Sequence, residues 1–246
     1  MSNLDSFFTV IMISILMLIS CDYDKNNDDF SLYNSLPVGS SNITKNEVKI
    51  GEQRWMVKNL DVVTFRNGDS LLHAKNYEEW RNALDNEQPA WCFYEDDSTN
   101  GNIYGKLYNW YAVNDLRGLA PDGWKIPSEE DWLQLADYLG GFSIAGNKMK
   151  FTDHWIFIKS SSSGNSQTYN PNGSNESGFS GLPGGYRDWG GWDFSIGYIG
   201  VWWSKAESDT LDSWGVLLDS RDNFLGILKP GSGSNRWGFS VRCIRE

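Results

Sequence analysis

"GWKIPSEEDWLQLADYLGG", residues 123–141, sets one Pro, three successive carboxylates and two tryptophans ahead of a closing Gly pair. Glu129, Glu130 and Asp131 are either an acidic cluster for chemistry or the polar first turn of a helix whose tryptophans hold a fold together. Local grammar favours the second reading. Ser128 after Pro127 is a helix N-cap, and Asp131 three residues on is the reciprocal partner of a capping box, in place of the usual Glu or Gln. Carboxylates in a first turn also oppose the positive end of the helix dipole, a gain of about 0.3–1 kcal/mol each. Trp132, Leu133, Leu135, Ala136, Tyr138 and Leu139 supply an apolar side, and Gly140-Gly141 ends the helix. The carboxylates thus have a sufficient structural reason to be there.

Working outward, "VKIGEQRWMVKNLDVVTF" (48–65) alternates apolar and polar residues around Gly51-Glu52 and predicts strand, turn and strand. "NYEEWRNAL" (76–84) sets Tyr77, Trp80 and Leu84 at helical spacing, and "PAWCFYEDD" (89–97) reads as a buried strand running into an acidic turn. In "KLYNWYAVNDL" (106–116), Leu107, Trp110, Tyr111 and Asn114 fall along one side of a helix. Short elements of both kinds, 25 Gly and an aromatic content of 15% predict an α+β domain with much irregular loop rather than a helical bundle.

The 246 residues suffice for one domain plus a leader. Residues 7–20, "FFTVIMISILMLIS", are one apolar stretch, shorter than the roughly 20 residues of a membrane span and of the length of a signal-peptide core. They end at Cys21, and Leu18-Ile19-Ser20-Cys21 resembles the bacterial lipobox, in which the thiol is lipidated and becomes the new N-terminus. The preceding "MSNLDS" has no Lys or Arg, unlike the usual leader, and the alternative is an uncleaved anchor. Residues 1–20 are read as the signal peptide, 21–45 as a flexible acidic tether and 46–246 as the domain. The acidic residues after Cys21 resemble surface-export signals of Bacteroidetes lipoproteins.

A net charge of −11 argues against nucleic acid, which needs clustered cations. Only His73 and His154 are present, too few for a multi-histidine metal site. "DDSTNGN" (96–102) resembles half a calcium loop, but position twelve is Leu107 where Glu is needed, and an Asn-Gly turn is favoured. "GLPGGYRDWGGWDF" (181–194) has no phosphate-loop Lys, so its glycines serve positive φ and close aromatic packing. Cys92 and Cys243 are an even pair in an oxidising compartment and a possible disulfide, although sequence does not show that their Cα atoms come within about 7 Å.

Several blocks together, "IGEQRWMVKNL", "YGKLYNWYAV", "LAPDGWKIPSEEDWLQLADYLGG", "SGFSGLPGGYR", "GVWWS" and "GFSVRCIRE", closely resemble the Fibrobacter succinogenes major paralogous domain of bacterial surface lipoproteins. "WKIPSEEDW" and "WGFSVRCIR" are also similar to a helix and the terminal strand of the formylglycine-generating-enzyme type of C-type-lectin-like fold. The enzymes of that group bind copper through a cysteine pair; Cys92 and Cys243 do not match that arrangement, so the activity is not carried over and no cofactor is expected.

The other branch of this fold binds ligands, and the variable proteins of diversity-generating retroelements diversify residues near the C-terminus. The corresponding region runs from about Gly200 to Trp237. There Val216, Leu218 and Phe239 can pack, while Trp203, Trp214, Asp219, Arg221, Asn223, Asn235, Arg236 and Trp237 are the candidate ligand contacts, a mixture of Trp, Arg and small polar residues that recognition surfaces favour. The polar stretch 161–179 is a mobile insertion or a long loop beside that face, and its side chains could contact a glycan stacked on Trp189, Trp192, Trp202 or Trp203. In "IGVWWS", alternation turns at least one of Trp202 and Trp203 inward. The resulting expectation is a monomer, lipid-anchored at Cys21 in the outer membrane and surface-exposed, that binds an extracellular protein or glycan and is not an enzyme. A formylglycine-generating-type enzyme and a structural envelope lipoprotein are the alternatives.

Overall fold

The computed structural model describes residues 46–156, 171–205, 214–228 and 234–246, with the side chains of Trp214 and Ser234 also outside the description. The expected signal peptide 1–20, Cys21 and the expected tether 21–45 lie outside the described residues.

The opening stretch forms a helix, α4 (Glu129–Tyr138). Both halves of its capping box are made: the Ser128 hydroxyl accepts from Asp131 N at 3.2 Å, and the Asp131 carboxylate accepts from Ser128 N at 2.9 Å. Asp131 also pairs with Lys125 at 2.8 Å, so its charge is absorbed by the helix start and a neighbouring cation. Trp132, Leu135 and Ala136 are sealed. Tyr138 departs from the expected apolar side and is 65% exposed, its ring lying across Gly51, where a Cβ would come within 2.9 Å of it. The Gly pair leads, with φ of 98° and 96°, into a second helix, α5 (Phe142–Met149).

The fold is α+β, with two sheets. A four-stranded sheet has the order β1 (Glu47–Ile50), β2 (Gln53–Met56), β13 (Ile244–Arg245), β6 (Trp124–Lys125). Its first two strands are the expected hairpin around Gly51, with Ile50 opposite Gln53. The larger sheet runs β11 (Leu225–Leu228), β10 (Trp214–Asp219), β9 (Ile199–Ser204), β7 (Gly184–Arg187), β12 (Gly238–Phe239), β5 (Leu107–Asn109), β4 (Ala90–Cys92), β3 (Leu72–His73), with β8 (Asp193–Ile196) paired to β7. The main core joins both: Trp55 of β2 and Ile244 of β13 meet Trp202, Val216 and Leu225 around α4 and α5. Trp55 and Trp132 lie 4.7 Å apart between ring centroids. Among the described residues no helix is long and apolar enough to cross a membrane.

Arg242 sits fully buried at the seam with no carboxylate partner among the described residues. It donates to Asn59 Oδ1 at 2.8 Å, to Met56 O at 3.1 Å and to Phe179 O, and its guanidinium lies over the Phe179 ring at 4.5 Å. Asn59 Oδ1 also accepts from Trp202 Nε1 at 2.8 Å, so one amide ties the terminal segment to the centre of the large sheet.

Two local expectations change, and a third is narrowed. Residues 106–116 form strand β5 and a single helical turn, α3 (Trp110–Val113), not one helix, because the Asn109 side chain accepts from both Ala90 N and Ala112 N and ends the strand there. "DDSTNGN" is no Asn-Gly turn: Asp97 caps a helix, α2 (Ser98–Tyr104), and Gly101 lies so close to Phe93 that a Cβ would come within 2.3 Å of its ring. The described end of the polar stretch, 171–179, is packed chain: Ser177 donates to Lys148 O at 2.8 Å and Phe179 is sealed in the core.

Candidate functional site: an aromatic loop beside the terminal segment

β7 and β8 pair with Tyr186 opposite Phe194 and Arg187 opposite Asp193, leaving Asp188-Trp189-Gly190-Gly191-Trp192 as the loop. The loop closes on its first side chain: Asp188 Oδ1 accepts from Gly190 N at 2.8 Å and from Trp192 N at 2.9 Å. Asp188 N donates in turn to Trp192 O at 2.9 Å. Burial raises the Asp188 carboxyl above the usual carboxylate range, against the lowering effect of those N–H donors. Gly191 needs its φ of 86°, and a Cβ there would meet Tyr77 Cβ at 2.7 Å. Trp80, buried in a helix, α1 (Tyr77–Asp85), supports the loop from beneath by donating from Nε1 to Asp188 O at 3.1 Å. This fixed turn leaves Trp189 57% and Trp192 59% exposed. Tyr77 is exposed too, to 42%, rather than on the packed side of α1 with Trp80 and Leu84, and its ring lies parallel to Trp192 at 5.9 Å.

Below the loop, Arg187 is sealed and donates to Asp193 at 3.0 Å and Asp96 at 2.9 Å, above the satellite core of Trp80, Leu84, Cys92 and Leu107. The pairing satisfies a buried cation and leaves it no part in ligand contact.

The terminal segment joins this surface through α1 and β7. Arg236, in a short 3-10 turn (Ser234–Arg236), pairs with Asp85, the last residue of α1. Trp237 stacks on Tyr186 at 5.1 Å, and Tyr186 on Phe194 at 5.7 Å. Gly238 pairs with Arg187 of β7, and the Trp80 ring would meet a Cβ there at 2.8 Å. Asn235, Arg236 and Trp237 are therefore half-buried side chains beside the aromatic loop.

The remaining predicted contacts are placed differently. Trp203 is 1% exposed; it donates from Nε1 to Tyr108 O at 2.7 Å and packs on Phe239 at 4.3 Å, so it is a core residue and not a surface contact. Asp219 is buried too, its carboxylate held by Arg221 at 2.6 Å and its carbonyl by Lys150 Nζ at 3.0 Å. Arg221 and Asn223 lie on the β10–β11 turn against α5, where Asn147 donates to Asn223 O at 3.2 Å. The Asp219 carboxylate keeps Arg221 above its usual pKa. The side chain of Trp214 and the lipidation candidate Cys21 fall outside what the structure describes, although the Trp214 backbone, in β10, pairs with Ser204.

Cys92 and Cys243 are both free and buried, which corrects the possible disulfide: Cys92 belongs to β4 of the large sheet and Cys243 precedes β13 of the small one. Burial pushes the Cys243 thiol up to about 12 and the Cys92 thiol higher still, so neither is a ready thiolate. His73 stacks on Trp91 at 3.8 Å, and burial, with Lys75 nearby, lowers its pKa. His154 makes ring contacts with Tyr104 and Phe151. Among the described residues no three His, Cys, Asp or Glu side chains group as metal ligands.

The aromatic loop was visible in sequence as "DWGGWD", two tryptophans around a Gly pair with an Asp on either side. Tyr77 was not, because its place beside Trp192 depends on contact between distant segments. Neither the curated proteins nor the solved structures contain a match. The model of the Fibrobacter succinogenes major domain matches residues 48–245, which spans both sheets, the aromatic loop and the buried Arg242, and the chain belongs to that family.

Proposed function

We propose that this is a lipid-anchored surface protein of the outer membrane, held through Cys21, whose domain binds an extracellular protein or glycan without chemical turnover. In this reading the domain has the C-type-lectin-like architecture of the formylglycine-generating-enzyme type, acts as a monomer and takes no nucleic acid, in keeping with its net charge of −11. The observation that carries it is the loop 188–192: two indoles stand more than half in water on a turn fixed by its own Asp and by two glycines. Side chains already held in place lose little freedom on binding, which is the main advantage of a preorganised contact surface. The burial of both thiols, in different sheets, supports binding over the copper-dependent oxidation of the resembling enzymes.

The test is to probe arrays of glycans and of cell-surface proteins with the labelled full chain. Retention on a defined subset, reduced at least tenfold by Trp192→Ala, is expected. A chain that binds nothing on either array overturns the reading.

A further inference from the structure

We infer that the 188–192 loop, with Tyr77, is a stacking platform for a neutral polysaccharide, an inference that rests on the ligand-binding reading and narrows its ligand. The alternative occupant is a protein.

Area separates the two. Trp189, Trp192 and Tyr77, at 57%, 59% and 42% exposed, offer together roughly 400 Å² of accessible aromatic surface. A stable protein interface takes about 800 Å² from each partner, about twice this. Pyranose rings need less: a patch of axial C–H groups against one or two aromatic faces, with polar side chains at the margin for the hydroxyls. The platform has those parts. Trp189 makes no ring contact or hydrogen bond with the other described residues, and Tyr77 and Trp192 are parallel to within 8°. Glu78, exposed on the first turn of α1, already accepts from Tyr77 Oη at 3.2 Å and stands at the platform edge as an acceptor for a sugar hydroxyl.

Charge selects among polysaccharides. Glu78 and Glu79 sit beside Tyr77, Asp188 closes the loop, and the chain as a whole carries −11. An anionic polymer would meet like charge at each of these positions, whereas a neutral one is indifferent to them. Rigidity favours the same ligand class. Shallow sugar sites gain little per contact, so rings held by the Asp188 turn and by Gly191 pressed on Tyr77 retain affinity that mobile rings would lose to ordering.

The experiment is affinity electrophoresis of the detergent-solubilised full chain through gels containing hydroxyethyl cellulose, mannan or xylan, and through gels containing pectate as the anionic comparison. The expected result is retardation by at least one neutral polymer and none by pectate, with apparent affinity falling at least tenfold in Trp189→Ala and in Trp192→Ala. Tyr138→Ala, which removes an exposed ring lying across Gly51 of the β1–β2 hairpin, should bind as the unaltered chain does. Circular dichroism of Trp189→Ala, which removes a ring more than half exposed, guards against lost folding. Retardation unchanged in both Trp variants, or by pectate alone, overturns the inference. So does the absence of retardation in every gel; if a cell-surface protein on the arrays is then held and released by Trp192→Ala, the ligand class is wrong while the binding reading stands.

Discussion

Trp202 and Trp203 are neighbours in β9, and both are sealed; Trp189 and Trp192 share one short loop, and both are more than half in water. Composition is the same in the two places and the outcome opposite. β9 lies inside the large sheet with its two faces covered: Trp202 meets Phe179 at 5.7 Å in the main core, and Trp203 meets Phe239 at 4.3 Å on the other side. Alternation still operates, but neither face is solvent. In the loop, tight hydrogen bonding and two glycines fix the backbone, and both rings stay more than half exposed although the Trp192 ring lies beside Gly190. Leaving both indoles there forgoes on the order of 7 kcal/mol of burial. Exposure of this extent on a rigid frame is a feature that stability alone does not explain, and it directs functional attention to the loop rather than to β9.

The comparison breaks most visibly at Trp202. Trp202→Ala should lower unfolding free energy by about 3–5 kcal/mol, the usual range for an aromatic truncated in a packed core. The effect should lie at the upper end, because Trp202 Nε1 also occupies the Asn59 oxygen that holds Arg242. Urea denaturation followed by circular dichroism measures it. A loss below about 1 kcal/mol would mean that β9 is not the centre of the core.

Legibility in the sequence followed the range of the interaction. The capping box of Ser128 and Asp131 and the hairpin at Gly51 are decided within a few residues, and both were readable. The helix expected over 106–116 was lost to Asn109, whose side chain bonds Ala90 N from another strand. Trp203 was misplaced among the ligand contacts because period-2 reasoning assumes that one face of a strand is wet. Asp219 is polar and yet buried, since its Arg221 partner and the Lys150 cation satisfy it in three dimensions. The aromatic loop was half-legible: its tryptophans were singled out, but Tyr77 reaches Trp192 only through the docking of α1. The fate of Cys92 and Cys243 depended on sheet membership, which spacing does not encode.

The sealed region should also respond to pH at the alkaline end. Lys150 is fully buried, donating to Asp219 O at 3.0 Å and Asp222 O at 2.6 Å, with Trp155 of the main core 5.4 Å away. Burial lowers its pKa from 10.5 to about 8, against the raising influence of the Asp222 and Asp219 carboxylates. Below pH 8 the amine is protonated in folded and unfolded chains alike and contributes no slope. Between about 8 and 10.5 the unfolded chain holds a proton that the folded one has released, so stability attributable to Lys150 rises with pH, by at most about 3 kcal/mol. The neutral amine keeps two N–H donors for the two carbonyls. Comparing the unaltered chain with Lys150→Met at pH 7.5 and 10.5 isolates this contribution from other titrations. The gap should widen in favour of the unaltered chain at the higher pH, and a constant gap would show that the amine titrates normally.

The smallest effect on stability is expected where the effect on binding is largest. Among the described residues Trp189 makes no ring contact, and the turn beneath it is held by Asp188, Gly190 and Gly191 rather than by its own side chain. Trp189→Ala should therefore change unfolding free energy by no more than about 0.5 kcal/mol, as for other exposed substitutions. Truncation could even be slightly favourable, since it removes apolar surface from water. The measurement is the same urea titration used for Trp202→Ala. A destabilisation above about 1 kcal/mol would assign the ring a structural task, and its exposure would then need no ligand to explain it. A neutral result joined to lost retention on polysaccharide would separate the two tryptophan pairs by function as sharply as burial separates them in the fold.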